Sequence, residues 1–247
     1  MVASLPWLYM CFMHGDYSSP FPKLVLIDRD GVLNEDVGSP GVISVSQFQL
    51  IGNAGTAIGK LRRRGSKVAL ITNQSCVGKG LISEQKLNEI HKYMQDELLK
   101  QDEDAIINRI YFCTSTDFQN PMRKPAPGMI LQAMNDFKID PSECVMIGDT
   151  ITDLQGAAAA KVPFRILVST GYGSSVMGIK TFSDFIKEDD SMVQFLDFPK
   201  SILPFHYLKN FDAAVDFLLS KWMIQSCFIY VRYWLHSKLN RSMFSNH

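Results

Sequence analysis

Five short apolar runs, separated by stretches with helical spacing, constrain the fold of this chain more than any other feature. The runs are KLVLID (23–28), KVALIT (67–72), INRIYFC (107–113), CVMIGD (144–149) and FRILVS (164–169). Helices are predicted over 54–64, from a Ser83 cap through Leu98, from Pro127 to Phe137, over 152–160 and over 211–221. Continuous apolar strands alternating with helices are typical of a parallel sheet covered on both faces. The sequence therefore predicts an α/β fold of the Rossmann-like type.

The length of 247 residues fits one large domain. We expect this domain to span 23–221, after an N-terminal arm (1–22) and before a basic, aromatic C-terminal tail (222–247) that lacks Asp and Glu. Residues 174–209 show no clear period and are expected to be irregular. The segments after the first and third strands, 31–53 and 114–123, are short, so we expect a minimal cap or none.

Charge and cysteine content exclude several kinds of partner. Lys plus Arg and Asp plus Glu each number 25, so the chain lacks the basic excess of a nucleic-acid-binding protein. The five cysteines are odd in number and form no CxxC pair, which favours reduced thiols and a cytoplasmic location. The uncharged stretch 222–231 is about half the roughly 20 residues of a membrane-spanning helix, so membrane contact of the tail is not expected. The sequence does not indicate an oligomeric state.

Polar residues cluster where the first four predicted strands end or shortly after. Asp28 and Asp30 follow the first strand, Thr72 to Ser75 the second, Arg123 and Lys124 come after the third, and Asp149 ends the fourth. In a parallel sheet the carboxyl ends of all strands lie at one edge, where ligands bind. We expect the clusters to meet there.

The residue types at this edge are suited to phosphoryl transfer. Asp28, Asp30 and Asp149 would repel one another without a cation, and Mg²⁺ prefers a few carboxylates together with water and phosphate. Lys124 adds a fixed positive charge, while Thr72 and Asn73 add neutral donors. Side chains two residues apart on an extended segment point the same way. Asp28 could then form an aspartyl-phosphate while Asp30 moves the proton of the leaving oxygen and later of water.

Four segments of the chain resemble the motifs of the haloacid dehalogenase superfamily of phosphohydrolases. They are DRDGVLN (28–34), ITNQS (71–75), RKPAPGM (123–129) and IGDTITD (147–153), and the resemblance covers about 23–173. Within the superfamily, the chain is most similar to the heptose-1,7-bisphosphate phosphatases, followed by the histidinol-phosphatases. The resemblance implies a Mg²⁺-dependent phosphatase that acts on a small phosphorylated metabolite.

The same resemblance implies a function for each matching residue. Asp28 would be the nucleophile and Asp30 the proton donor, and both would hold Mg²⁺ with Asp149, Asp30 through its backbone carbonyl. Thr72 and Lys124 would stabilise the transferring phosphoryl group. Substrate would be bound by Asp36, Asn73, Gln74, Ser75 and Arg123. Asp153 would be a supporting residue.

Two segments depart from the pattern of those bacterial families. They commonly carry a zinc-binding C-x-H…C-x-C loop before the RKP run, whereas CTSTDFQNPM (113–122) has one cysteine and no histidine. We therefore expect no structural zinc. Residues 36–39 are Asp-Val-Gly-Ser, where the heptose enzymes have an Asp-His-Gly-Tyr type of sequence.

Other interpretations of these residues remain open at this stage. The substrate could be histidinol phosphate, another small metabolite, or the 3′-phosphate end of a nucleic acid, which the neutral charge argues against. The chain could also be a non-catalytic binding protein that keeps the fold. Asp149 and Asp153 could cap the following helix, Arg123 could be a surface residue, and His91 is expected to be solvated on a polar helix face.

Overall fold

The computed structural model describes residues 21–178, 192–193 and 200–221. The helices are α1 Ala54–Arg63, α2 Ser75–Gly78, α3 Glu84–Gln101, α4 Gly128–Phe137, α5 Ile151–Ala159, α6 Gly173–Val176 and α7 over 211–221. Short 3-10 turns cover Val45–Gln47, Pro141–Glu143 and Lys200–Ile202. Most of the expected N-terminal arm and the whole C-terminal tail, 222–247, lie outside the described residues. Residues Pro22–Asp216 form one compact unit, and only Phe21 and 217–221 are described of a second unit.

A seven-stranded sheet organises the main unit. Its strands are β1 Leu24–Ile27, β2 Lys67–Asn73, β3 Arg109–Cys113, β4 Cys144–Gly148, β5 Phe164–Val168, β6 Met192–Val193 and β7 Phe205–Leu208. Their order is β3-β2-β1-β4-β5-β7-β6, and all neighbours are parallel except β6 and β7. The predicted Rossmann-like parallel sheet is confirmed.

The central strands are buried on both faces because helices cover each side. Leu24 and Leu26 of β1 belong to one apolar cluster with Met129, Ile130 and Ala133 of α4. Alternation along β1 directs the neighbouring buried residues to the other face, and α1, which contributes nothing to that cluster, packs against β2. Burial on both faces explains why these strands are continuous apolar runs in the sequence.

The helix ends follow local sequence signals. Ser83 caps α3, since its hydroxyl accepts a hydrogen bond from the Lys86 backbone N–H at 3.1 Å. Thr150 and Asp153 form a capping box at the start of α5. The caps fix where each helix begins relative to the strand end before it.

The expectation that 174–209 is irregular is wrong for its last part. Phe205–Leu208 is a buried strand that pairs in parallel with β5. The sequence pattern did not indicate this strand, because it has only four residues and contains the polar residue His206. Neither 28–53 nor 114–127 contains an inserted domain, which agrees with the expected minimal cap. None of the helices described here combines the length and apolar character of a membrane-crossing segment.

Candidate active site

Carboxylates from two strand ends and one helix surround a single buried lysine. Lys124 Nζ lies 2.9 Å from Asp28 Oδ1, which follows β1, and 2.6 Å from Asp153 Oδ1, in the first turn of α5. One carboxylate oxygen of each of Asp28, Asp149 and Asp153 lies within 4.8 Å of the others. The predicted meeting of polar residues at the carboxyl edge of the sheet therefore holds for these four side chains.

Lys124 is fixed at its side chain and at its backbone. Besides the two carboxylates, Nζ donates to the Ile71 carbonyl at 2.7 Å, so all three ammonium donors are used. Asn73 Oδ1 accepts a hydrogen bond from the Lys124 backbone N–H at 3.1 Å, and Asn73 Nδ2 donates one to the Lys124 backbone carbonyl at 3.0 Å. Burial alone would lower the pKa of Lys124, but the carboxylates of Asp153 and Asp28 raise it above its ordinary value. Lys124 is thus a permanent, immobile positive charge.

Asp28 has one carboxylate oxygen engaged and one available. Oδ1 accepts hydrogen bonds from the Arg29 backbone N–H at 2.7 Å and from Lys124, and no described residue donates to Oδ2. Burial raises the pKa of Asp28 to about 6, against the lowering effect of Lys124. A bound cation would favour the ionised form, which is the form that attacks phosphorus.

Asp149 has the features of a cation ligand. Its Oδ2 accepts the Tyr172 backbone N–H at 2.9 Å, whereas Oδ1 is buried and has no hydrogen-bond partner among the described residues. Burial, followed by the nearby Asp28, raises the pKa of Asp149 to about 8. Gly31 lies so close that an added Cβ would be 2.7 Å from Asp149 Cγ. An oxygen buried without a partner beside a second carboxylate fits a hard divalent cation such as Mg²⁺.

Asp153 differs from Asp149 because both of its oxygens are occupied. Oδ1 binds Lys124, and Oδ2 accepts from the Thr150 backbone N–H at 3.0 Å and from its hydroxyl at 2.7 Å. Asp153 is also fully buried. This pattern suits a supporting residue that holds Lys124 and the start of α5 in one position.

Asp30 belongs to a separate hydrogen-bond group. Its carboxylate accepts from the Arg29 guanidinium at 2.9–3.2 Å, from Asn34 at 2.9 Å and from Gln74 at 3.0 Å. Burial would raise the pKa of Asp30, but Arg29, Asn34 and Gln74 together lower it. Gln74 also donates to Thr72 Oγ1 at 2.9 Å, which leaves the Thr72 hydroxyl proton free to donate elsewhere.

The residues expected to bind substrate divide into two groups. The polar side-chain atoms of Asn73 and Gln74 bond to the protein itself, so their geometry favours positioning of Lys124 and Asp30. Ser75 begins α2 and is half-buried, as is Asp36, whose carboxylate accepts the Gly38 backbone N–H at 3.0 Å. These two remain predictions as substrate contacts.

Arg123 is the last residue of the 114–123 segment, and its guanidinium is held by contacts within that segment. Its Nη1 donates to the Ser115 carbonyl at 2.8 Å, and its guanidinium lies 5.1 Å from the centre of the Phe118 ring. Phe118 is 82% exposed, while Arg123 is half-buried and its Nε has no hydrogen-bond partner among the described residues. Only one of the five guanidinium N–H donors has a hydrogen-bond acceptor among the described residues, and the substrate-binding function of Arg123 stays a prediction.

The expectation of a solvated His91 is wrong. His91 is 4% exposed and lies 3.3 Å from Arg29 Nη1 through its Nε2. The signal was present in the sequence, because position 91 lies four residues after Leu87 and three before Met94, on the apolar face of α3. Arg29 was given no function by the sequence reasoning, although it separates the two aspartates.

Known proteins share both the sequence and the fold of this chain. The haloacid dehalogenase-like hydrolase family model matches residues 40–161. The D-glycero-beta-D-manno-heptose-1,7-bisphosphate 7-phosphatase of Haemophilus ducreyi is 36% identical over 165 residues, which are 64% of this chain and 89% of that protein. The enzyme of the same name from Neisseria meningitidis is 38% identical over 156 residues, or 63% of this chain and 81% of that protein.

A solved structure with the same fold comes from B. bronchiseptica. It is the D,D-heptose 1,7-bisphosphate phosphatase complexed with magnesium and phosphate, and it is 28% identical with a TM-score of 0.66. The similarity covers 81% of this chain and 99% of that one. Sequence identity, coverage and fold agree with the motifs at the strand ends, and the chain therefore belongs to the haloacid dehalogenase-like hydrolases, among their phosphatases.

Proposed function

We propose that this protein hydrolyses a phosphomonoester of a small sugar, through an aspartyl-phosphate on Asp28 and with Mg²⁺ bound. Asp28 contacts buried Lys124 and lies beside an Asp149 oxygen that has no hydrogen-bond partner within the described part of the chain, and this is the observation that supports the proposal most directly. A nucleophile, a fixed cation and a free ligand oxygen within one cluster are what phosphoryl transfer requires.

In the first half-reaction, Asp28 Oδ2 attacks phosphorus and the ester P–O bond breaks. The N–H donors around Asp30 favour its ionised form in the substrate-free protein, so Asp30 would take up a proton when the negatively charged substrate binds. It then gives this proton to the leaving oxygen, which departs as an alcohol. Lys124 balances negative charge on the phosphoryl oxygens, and the Thr72 hydroxyl donates a hydrogen bond to them. The products of this step are the free sugar alcohol and the aspartyl-phosphate.

In the second half-reaction, water attacks the same phosphorus. Asp30, now ionised, takes one proton from that water, and the bond between phosphorus and the Asp28 oxygen breaks. Phosphate leaves and the Asp28 carboxylate is restored. A proton thus passes from Asp30 to the alcohol and returns from water, so that the cycle balances.

Asp28, Asp149 and the backbone carbonyl of Asp30 would hold Mg²⁺. When bound, the ion neutralises charge on the phosphoryl group and favours the ionised forms of its ligands. Asp28 and Asp149, whose pKa values lie well above the ordinary range without a cation, would both be ionised in its presence.

A sugar bisphosphate of the heptose 1,7-bisphosphate type is the proposed substrate. The support comes from the relatives that carry this name and from the absence of an inserted cap in 28–53 and 114–127. Arg123, which precedes Lys124 in the chain and whose Nε has no hydrogen-bond partner among the described residues, would bind the second charged group of this substrate. Histidinol phosphate is the alternative small phosphorylated metabolite.

Phosphate release tests the proposal directly. Heptose 1,7-bisphosphate, histidinol phosphate and other sugar phosphates are compared with Mg²⁺ and with a chelator. Asp28→Asn should reduce kcat/KM by a factor of about 10³ or more. Asp96→Asn, which removes an exposed carboxylate paired with Lys92, is the matched control and should match the wild type.

Each result has a defined meaning. Release that needs Mg²⁺ and Asp28 supports the mechanism, and the substrate with the highest kcat/KM identifies the sugar. A folded protein that releases no phosphate, or whose activity survives Asp28→Asn, would overturn the proposal. Preference for histidinol phosphate would move the substrate assignment to the alternative.

A further inference from the structure

The carboxylate of Asp30 is held by four N–H groups. Arg29 Nε lies 3.2 Å from Oδ1, and Arg29 Nη2 lies 3.0 Å from Oδ1 and 2.9 Å from Oδ2. Asn34 Nδ2 donates to Oδ1 at 2.9 Å and Gln74 Nε2 donates to Oδ2 at 3.0 Å. A carboxylate offers about four lone-pair directions. These contacts therefore hold the Asp30 carboxylate in one orientation in the substrate-free protein, and one N–H donor must leave before the carboxylate can carry or accept a proton.

Arg29 provides the largest share of this restraint and is itself fixed from behind. The Arg29 side chain is completely buried, and it is one of the largest fully buried side chains among the described residues. Nη1, the nitrogen that does not contact Asp30, lies 3.3 Å from His91 Nε2. Because a guanidinium only donates, His91 Nε2 is the acceptor and the imidazole is neutral.

His91 is held in turn by the helix and the sheet. It belongs to α3, and its ring packs at a tilt against Phe112 of β3, with 5.7 Å between ring centres. Burial, and after it the Arg29 charge, lowers the pKa of His91 to about 3, so that it remains an acceptor throughout the neutral range. The chain of contacts therefore runs from α3 through His91 and Arg29 to Asp30.

Neither side chain has a described contact with Lys124, Asp149 or Asp153. Among the residues that the structure describes, the Arg29 guanidinium forms hydrogen bonds with Asp30 and His91 alone. We therefore expect the pair to act on the reaction through Asp30, by fixing the orientation of its carboxylate and by the charge of Arg29 beside it. A residue of this kind affects proton transfer, whereas a residue that binds phosphate affects substrate binding and the attack on phosphorus.

We propose that Arg29 and His91 are positioning residues that orient the Asp30 carboxylate for proton transfer. This inference rests on the proposed function, in which Asp30 serves both half-reactions. An aryl phosphate makes the two steps separable, because nitrophenolate leaves without a proton whereas water always requires a base. A misoriented Asp30 should therefore slow hydrolysis of the aspartyl-phosphate more than its formation.

Rapid-mixing kinetics with 4-nitrophenyl phosphate and Mg²⁺ measure both steps. Arg29→Met removes the donors, and His91→Leu removes only the acceptor behind them while keeping an apolar side chain. We expect a burst of nitrophenolate approaching one equivalent of enzyme in Arg29→Met, followed by turnover reduced about tenfold or more. His91→Leu should show a smaller change in the same direction, and His91→Gln, which restores an acceptor, should return both rates toward the wild type.

Reference variants separate this inference from the proposed function. Asp30→Asn should give the burst, and Asp28→Asn should give no nitrophenolate. If Asp30→Asn gives no burst, the two-step route fails. Suppose instead that Asp30→Asn gives the burst. The positioning function is then overturned if folded Arg29→Met and His91→Leu turn over like the wild type, or if they lose burst and turnover together. Thermal unfolding reports folding, and His91→Leu decides the question if Arg29→Met does not fold.

Discussion

An added methyl group at Gly31 should displace the Asp149 carboxylate of the active site and leave the rest of the fold in place. An added Cβ would lie 2.7 Å from Asp149 Cγ and 3.0 Å from the Gly171 Cα, and nearer still to Asp149 Oδ2. Carbon atoms in contact prefer about 3.5–4.0 Å. The Asp149 carboxylate must therefore move by about 1 Å in Gly31→Ala.

The displacement should be measurable in activity. A misplacement of about 1 Å can reduce a rate by about 10², which corresponds to about 2.7 kcal/mol of transition-state stabilisation. Gly31 has a φ of +77°, and alanine in such a left-handed conformation costs about 1–2 kcal/mol of folding stability. We expect kcat/KM for phosphate release to fall about 100-fold, with a decrease of several degrees in melting temperature.

Gly65→Ala is the matched control. Gly65 follows the C-terminal end of α1 with a φ of +89°, and an added Cβ there would have no atom of the described residues within 4 Å. Gly65→Ala should therefore lose stability through the same left-handed backbone conformation, without the added steric contact, and keep its activity. If both variants have wild-type kcat/KM, or lose it equally, the argument from the Asp149 carboxylate is refuted.

Three further predictions concern charge, pH and capping. Lys124→Met leaves Asp28 and Asp153 buried without their cation, so the free energy of unfolding by urea at neutral pH should fall by about 3–5 kcal/mol. The pKa values of Asp28 and Asp149 are raised from 3.8 to about 6 and about 8, so the metal-free folded protein holds more protons than the unfolded chain and loses stability as pH rises through this range. Mg²⁺ should therefore raise the melting temperature more at pH 8 than at pH 5, with chelator as the reference; an equal rise at both would contradict the cation assignment. Ser83→Ala should lower stability by about 0.5–2 kcal/mol with unchanged activity, since α3 loses its cap.

Sequence reasoning succeeded where one strong rule determined the outcome. Continuous apolar runs predicted the strands to within a residue or two, because strands buried on both faces tolerate little else. Parallel pairing then placed Asp28 and Asp149 at the same edge, since β1 and β4 are neighbours in register. The partners of each side chain within the cluster did not follow from the same rule.

Residues with several available partners were harder to predict. Asn73 and Gln74 follow β2 at the ligand edge, yet their amides bond to the Lys124 backbone and to Asp30. Whether an amide faces the protein or the ligand depends on loop geometry that the sequence does not encode locally. His91 was missed for a different reason: residue type suggested solvent, although its spacing placed it on the buried face of α3.

The strand order has a consequence for synthesis of the chain. β1 lies at the centre of the sheet, with β2 on one side and β4 on the other, and β4 follows all of β2, α3, β3 and α4 in the sequence. While the ribosome is still producing the first half, one edge of β1 therefore has backbone donors and acceptors that no strand has yet paired. Exposed apolar strand edges of this kind promote aggregation. A fragment ending before Cys144 would expose this edge permanently, and recombinant yield should depend on how quickly the second half is made.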